Sequence, residues 1–343
     1  MRAARRTARR LVQRSARRLV AALLVGGALA SAVTGCAGLS SEQPLRGDLA
    51  AHDPALVVGQ HGSPSFVYST GDAKVDGGAL QIRRSVDGIH WRFVGSVWKT
   101  RPAWIADTIP GVPALWAPEL IQHGGTWYLY YAASTFGSNH SAIGLATNTT
   151  LDPGAAGYHW VDRGAVLVSQ TSDPYNAIDP ALVVDGSGAP WMAFGSFWSG
   201  IQLVKLAWPS GLRADDTPPV LIAGGRASPN AIEGSQLVHH GGRFYLFVSV
   251  GFCCRGAQST YQVAVGRSDA IGGPYLDKQG LAMLTGGGTI VLTTRGSRVG
   301  PGGESYSRGQ LGFHYYDADH DGRTTLAIAP VAWGDDGWPT LQW

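Results

Sequence analysis

Asn176-Ala177-Ile178-Asp179-Pro180, running on into Ala181-Leu182-Val183-Val184, decides the fold, because variants of it recur along the chain. The others are His52-Asp53-Pro54-Ala55-Leu56-Val57-Val58, Trp116-Ala117-Pro118-Glu119-Leu120-Ile121 and Ala231-Ile232-Glu233-Gly234-Ser235-Gln236-Leu237-Val238, with a fainter copy at Glu304. Each places an acid at the head of a short apolar strand. A turn and an aromatic strand come next, as in Thr126-Trp127-Tyr128-Leu129-Tyr130-Tyr131 and Arg243-Phe244-Tyr245-Leu246-Phe247. Acids 53, 119, 179, 233 and 304 stand between 54 and 71 residues apart, so the period is loose while the order of parts is constant.

A repeated unit of this length, made of several short strands, is how a propeller blade looks in sequence. Five units predict an all-β, five-bladed β-propeller. Proline after the acid at 54, 118 and 180 cannot donate to a strand ladder and restricts the residue before it, so the motif marks where a strand begins. With that strand innermost in each blade, the acids are expected at equivalent radial positions around one mouth of the central channel.

Ahead of the repeats, eight arginines precede an apolar run from Leu19 to Leu29 that is too short to span a bilayer, which is the pattern of an export signal. Val33-Thr34-Gly35-Cys36 fits a bacterial lipoprotein box, predicting a leader over 1–35 and lipid on Cys36. A plain signal peptide cut near Gly35, and a twin-arginine signal at Arg17-Arg18, are the alternatives. The formal charge of +3 includes those eight arginines, so the chain from Cys36 carries −5 and has no basic run to track a phosphate backbone. Nucleic acid is excluded as a partner. Residues 36–50 are polar and without periodicity, as in a tether, and 51–343 are expected to form a single domain.

Two Asp and one Glu at matching places suggest unlike tasks. A glycosidase needs one carboxylic acid to protonate the leaving oxygen and one carboxylate to activate water. Asp53, Asp179 and Glu233 are therefore the candidate catalytic residues; Glu119 is either a fourth acid of the site or a structural one. Trp116 offers an aromatic face to a sugar ring. Asn176, and Ser196 beside Phe197 and Trp198, are placed to line a subsite. Adjacent Cys253 and Cys254 in an exported chain predict a vicinal disulfide and a rigid loop near the site, and no spacing supports zinc. Asp317 to Gly322 lacks the downstream glutamate of a calcium loop and reads as a hairpin turn. Trp333, Trp338 and Trp343 are expected to close the last blade.

Taken in order, His52-Asp53-Pro54, Trp116-Ala117-Pro118, Phe136-Gly137-Ser138-Asn139, Asn176 to Pro180, Ser196-Phe197-Trp198-Ser199-Gly200, Ala231-Ile232-Glu233-Gly234, Cys253-Cys254-Arg255-Gly256, Gly273-Pro274-Tyr275 and His314-Tyr315-Tyr316-Asp317 resemble the endo-arabinanases of glycoside hydrolase family 43. The resemblance implies inverting hydrolysis of α-1,5-linked L-arabinan by a monomer on a five-bladed propeller. It makes Asp53 the general base, Glu233 the general acid and Asp179 the residue that orients Glu233 and holds up its pKa. It adds Phe136 and Phe197 to Trp116, Asn176 and Ser196 as substrate contacts, and places His314 at a calcium site in the channel. An arabinan-degrading enzyme on the outer face of the cell membrane, or secreted, is the expectation. An exo-acting arabinofuranosidase or β-xylosidase, and a non-catalytic carbohydrate-binding propeller, are the competing readings. Glu119, where many relatives carry Asp, and the Gly303-Glu304-Ser305 version of the fifth repeat depart from the family pattern.

Overall fold

Each repeat folds into one sheet of antiparallel neighbours, and the strand that follows or contains the acid is the innermost in all five. The computed structural model describes residues 44–343; the leader, Cys36 and the first part of the tether lie outside the described residues. Blade one runs through β2 (Ala55–Val57), β3 (Ser65–Ser69), β4 (Gln81–Ser85) and β5 (His90–Ser96), with a short β1 (Arg46–Gly47) added parallel to β5. Blade two is β6 (Leu115–His123), β7 (Thr126–Ala133), β8 (Ser141–Asn148) and β9 (Val161–Ser169). Blade three is β10 (Ala181–Val184), β11 (Pro190–Phe194), β12 (Ile201–Lys205) and β13 (Val220–Ala223). Blade four is β14 (Ile232–His240), β15 (Arg243–Val250), β16 (Gln262–Ser268) and β17 (Thr289–Leu292). Blade five is β18 (Arg298–Ser307), β19 (Gln310–Asp317), β20 (Arg323–Trp333) and β21 (Pro339–Leu341). The single α-helix among the described residues, Trp104–Thr108, sits in the connection between blades one and two.

Alternating β-branched and aromatic residues make these strands, and their apolar sides pack blade against blade. Tyr68, Leu80, Leu129 and Tyr131 belong to a cluster joining blades one and two, while Phe247, Phe313, Trp338 and Trp343 join blades four and five. As expected, Trp333 and Trp338 pack on Tyr245, and Trp343 meets Phe313 edge to face with ring centroids 5.1 Å apart.

Among the described residues no strand is exchanged to close the ring, since every blade is a contiguous stretch of chain. Blade five is joined to blade one by side-chain hydrogen bonds instead: Leu56 N–H donates to Ser305 Oγ at 2.8 Å and Val58 N–H to Ser307 Oγ at 3.0 Å. The final part of the stretch read as a tether also contributes. Leu326 N–H donates to the Leu49 carbonyl, and the buried Arg83 guanidinium donates to the Asp48 and Ala50 carbonyls, so residues 46–50 are strapped to the blades rather than hanging free.

One residue at the head of each inner strand has a left-handed backbone: Asp53 (φ 47°), Ala117 (41°), Asp179 (57°), Gly234 (56°) and Gly303 (60°). In blades two, four and five the strand register shifts at this point, as at a bulge. This residue, not the acid, is the invariant of the repeat, which corrects the expectation of five equivalent acids. Asp53 and Asp179 occupy the left-handed position itself. Glu233 stands one residue before it, Glu304 one after and Glu119 two after.

The offset changes what each side chain meets. Two residues past the left-handed position, blades two, four and five carry Glu119, Gln236 and Ser305. Each accepts the backbone N–H of the inner strand of the next blade, from Leu182 (3.3 Å), Tyr306 (3.0 Å) and Leu56 (2.8 Å) respectively. Glu119 is thus one member of a set of inter-blade staples.

Candidate active site

The heads of the inner strands meet around a cavity of about 30 Å³ lined by Asp53, Asp179, Gly234, Gly303 and Glu304, with Glu119 on its wall. A larger space of about 300 Å³, lined by Leu120, Leu182, Leu237 and other inner-strand residues, also includes Glu119 and Gln236 on its wall.

Asp53 is held by groups from three directions. Its Oδ2 accepts the Thr70 hydroxyl at 2.8 Å and is paired with His52 Nδ1 at 2.7 Å, while its backbone N–H donates to His314 Nδ1 at 3.1 Å. Thr70 Oγ1 in turn accepts the Ala117 N–H at 3.0 Å. Among the described residues no donor is bonded to Oδ1, so one oxygen is anchored and the other is free to act. Burial pushes this carboxyl up, but His52, His314 and Thr70 together outweigh it and hold the pKa at about 2. Asp53 is a carboxylate at any working pH. The left-handed Gly303 is needed beside it, because a Cβ there would come within 2.5 Å of Asp53 Oδ1 and 2.8 Å of the His314 ring.

Glu233 is buried, and its carboxyl bonds two hydroxyls: Ser196 Oγ at 2.5 Å on Oε2 and Tyr261 on Oε1. Burial raises its pKa, opposed by those two hydroxyls and reinforced by the Asp53 charge. Asp179 Oδ2 accepts the Gly234 N–H at 3.0 Å, which ties Asp179 to the backbone next to Glu233. Its own pKa goes well up, through burial first and then repulsion from Glu233 and Asp53. With Asp53 ionised, burial and mutual repulsion bias the Asp179–Glu233 pair toward holding a proton. One carboxylate and one protonated carboxyl in a common concave site can accept a proton at one point and deliver one at another.

The remaining sequence candidates are distributed unevenly. Trp116 is half-buried one residue before Ala117, the register position that Glu233 holds in blade four and His52 in blade one. Ser196 is buried with its hydroxyl on Glu233, so its contact is with the acid. Phe197, in left-handed backbone, donates its N–H to the Ile232 carbonyl and faces Phe252 with ring centroids 5.9 Å apart. Asn176 is buried with no partner for Oδ1 among the described residues, and Phe136 is 86 % exposed. Cys253 and Cys254 form the expected disulfide. Glu119 is pushed by burial up to about 7, and Glu304, which accepts the Ser249 hydroxyl at 2.7 Å, up to about 8. Tyr261, Thr70 and Tyr316 carry no role in the sequence reading, for each reaches the acids only through contacts distant in the chain.

His314 is wholly buried and neutral, its pKa lowered by burial and then by His52. Its Nε2 has no hydrogen-bond partner among the described residues, and neither has Glu304 Oε1. An unpaired ring nitrogen and an unpaired carboxyl oxygen suit a cation, whose charge would in turn favour the ionised form of Glu304. Nδ1 accepts the Asp53 N–H, so the neutral ring carries its proton on Nε2; a cation there requires the other tautomer, with Nδ1–H turned toward Asp53 Oδ1 at 3.7 Å. His52, Asp53 and His314 together bring their ligand atoms within 4.8 Å of one another.

A five-bladed propeller whose axial cavity gathers an anchored Asp and a buried Asp–Glu pair has the two unlike carboxyl settings that glycoside hydrolysis requires. Comparison with known proteins agrees. Residues 49–339 match the family model described as glycosyl hydrolases family 43, and the chain belongs to that family. It is 40 % identical over 294 residues to an extracellular endo-α-(1→5)-L-arabinanase of Bacillus subtilis, covering 84 % of this chain and 87 % of that one. It is 37 % identical over 308 residues to an extracellular exo-α-(1→5)-L-arabinofuranosidase of Cellvibrio japonicus, covering 85 % and 86 %. Among solved structures, an endo-arabinanase of family 43 from Bacillus licheniformis superposes with a TM-score of 0.81 at 38 % identity, over 87 % of this chain and 99 % of that one.

Proposed function

We propose that this glycoside hydrolase cleaves internal α-1,5-L-arabinofuranosyl bonds of arabinan with inversion, Asp53 acting as general base, Glu233 as general acid and Asp179 as the residue that holds the acid. The observation that carries the proposal is the unlike setting of two carboxyls in one cavity, Asp53 anchored through Oδ2 by His52 and Thr70 and Glu233 buried against the Ser196 and Tyr261 hydroxyls. The activities of the two Bacillus relatives supply the polymer, and that of the Bacillus subtilis enzyme the linkage.

In this reading a water bonded to Asp53 Oδ1 gives up a proton to it as its oxygen attacks the anomeric carbon. The glycosidic oxygen departs with the proton of Glu233 from the other side of the ring. Burial keeps that proton on Glu233 until it is needed. The Ser196 and Tyr261 hydroxyls then stabilise the carboxylate left behind, and the Asp179 bond to the Gly234 N–H fixes the strand on which the acid stands. Solvent exchange returns a proton to Glu233 and removes one from Asp53. A calcium ion on His314 Nε2 would supply positive charge beside these carboxyls; Trp116 and Phe197 are the aromatic surfaces assigned to the furanose rings. The extracellular naming of the relatives supports action outside the cell, and the Cys36 box supports a lipid anchor that holds the protein there.

Products of linear α-1,5-arabinan, resolved by size over time with Glu233→Ala as control, test the reading. Mixed oligosaccharides at early times are expected. Arabinose or a single short oligomer from the outset would replace endo by exo action, the reading favoured by the Cellvibrio relative. No cleavage by either protein would remove arabinan as substrate.

A further inference from the structure

Behind Asp53 the structure contains a chain of hydrogen bonds that the acid and base roles do not use. Cys254 N–H donates to the Tyr316 hydroxyl at 2.7 Å, and that hydroxyl lies 3.0 Å from His52 Nε2. His52 Nδ1 lies 2.7 Å from Asp53 Oδ2. Each proton has one consistent place. Asp53 is an acceptor, so Nδ1 carries a proton; Nε2 of the neutral ring then accepts Tyr316 O–H, whose oxygen already accepts the Cys254 N–H. The other acceptor near Tyr316, Cys254 Sγ, is 3.9 Å away and loses to Nε2. Protonating His52 reverses its bond to Tyr316 without breaking it.

The far end of this chain is unusually fixed. Cys254 has a left-handed backbone (φ 66°), which a residue with a Cβ rarely adopts, and its disulfide to the preceding residue holds the two side chains together in that conformation. Tyr316 is buried on β19, its ring edge-on to both His52 and His314 at centroid distances of 6.2 and 5.4 Å. His52 is stacked on His314 at 3.9 Å and so cannot turn freely. Cys254, by contrast, is exposed and open to a reductant.

We propose that Tyr316 is a positioning residue for the general base: anchored by the disulfide-bonded Cys254 loop, it orients His52 and through it presents Asp53 Oδ1 to the attacking water. The assignment rests on Asp53 being the base, and the base is tested separately below. A proton acceptor displaced by a fraction of an ångström loses rate without losing substrate affinity, so the signature is in kcat.

Tyr316→Phe keeps the ring and removes the hydroxyl. On linear arabinan we expect kcat to fall about 10- to 100-fold with KM within about twofold. We expect the same factor on an aryl α-L-arabinofuranoside, because activation of water does not depend on the leaving group. A kcat within twofold of wild type, or a rise in KM alone, overturns the proposal. Should the variant not fold, the wild-type protein supplies the second arm. Dithiothreitol reduces the pair by thiol–disulfide exchange, two electrons and two protons passing to the Cys253 and Cys254 sulfurs while the reagent leaves as its cyclic disulfide. With two thiols gained per molecule over the untreated protein, kcat should drop and return on reoxidation, and reduction should add nothing to Tyr316→Phe. Unchanged kcat in the reduced protein overturns the role of the loop. Asp53→Ala with sodium azide separates the two levels: restored turnover of the aryl substrate, as the arabinosyl azide, supports Asp53 as base whatever Tyr316 does. An Asp53→Ala variant with wild-type activity removes the base assignment and the proposal with it.

Discussion

Asp53 and Glu119 come from matching stretches of neighbouring blades, both reach the axial cavity and both are carboxyls, yet their pKa values lie far apart, about 2 against about 7. Asp53 sits on the left-handed residue and gathers His52 and Thr70 on one oxygen. Glu119 lies two residues further into its strand and accepts a backbone N–H of the next blade, a bond that the amide Gln236 makes equally well one blade pair later. The same residue type becomes a base or a staple according to its phase on a bulged strand. Position relative to the left-handed residue, rather than the presence of an acid, assigns the task.

That contrast can be broken in several places. Glu233→Ala should nearly abolish turnover of arabinan with folding intact, and should spare aryl substrates whose leaving groups need no proton; retained hydrolysis of the polymer would detach the acid role from Glu233. Asp53→Asn should cost about 10²- to 10⁴-fold in kcat on every substrate alike; normal cleavage of aryl glycosides would place the base elsewhere. Glu119→Ala should leave kcat within about threefold and lower stability by ~1–3 kcal/mol, the cost of a buried donor left unpaired, read by denaturant titration. A kcat loss as large as that of Asp53→Asn would make Glu119 part of the chemistry.

Glu119→Gln sharpens the comparison further. Because the folded state raises this carboxyl from 4.5 to about 7, its contribution to stability is complete below pH 4.5 and is lost as pH climbs through 7. In chelated protein, stability should decline between about pH 4.5 and 7, and the amide variant should flatten that decline; identical slopes would mean that Glu119 is ionised in the native state. Calcium should give the smallest effect, a rise in Tm on addition that EDTA reverses and that His314→Gln removes. A Tm indifferent to verified calcium removal would leave the unpaired Nε2 to water.

Much of this architecture is legible in the chain. An acid, a proline or glycine and an apolar run announce four of the five inner strands, the fifth repeat at Glu304 lacking the apolar run, and the aromatic strand behind each one is equally plain. Phase was not legible. Aligning the repeats on their acids hides the backbone sign that aligns them physically, and Ala117 in left-handed conformation is a residue type that gives no warning. Nor could the local pattern show that Ser196 faces Glu233, that Thr70 and Tyr261 complete the two carboxyl environments, or that Leu49 and Arg83 fasten the supposed tether. Those contacts join residues far apart in sequence, and only the closed ring brings them together.

Closure has a consequence for the lifetime of activity. The ring has a seam between blades five and one, fastened by Ser305 and Ser307, and the base is assembled across it: His52 and Asp53 arrive from one side, His314, Tyr316 and Gly303 from the other. Glu233, Ser196 and Tyr261 lie within blades three and four, away from that seam. A partial opening there would scatter the groups around Asp53 while leaving the acid's surroundings whole. Such a molecule would be folded over most of its length and still unable to activate water, so hydrolysis reports the last contact of folding rather than the first.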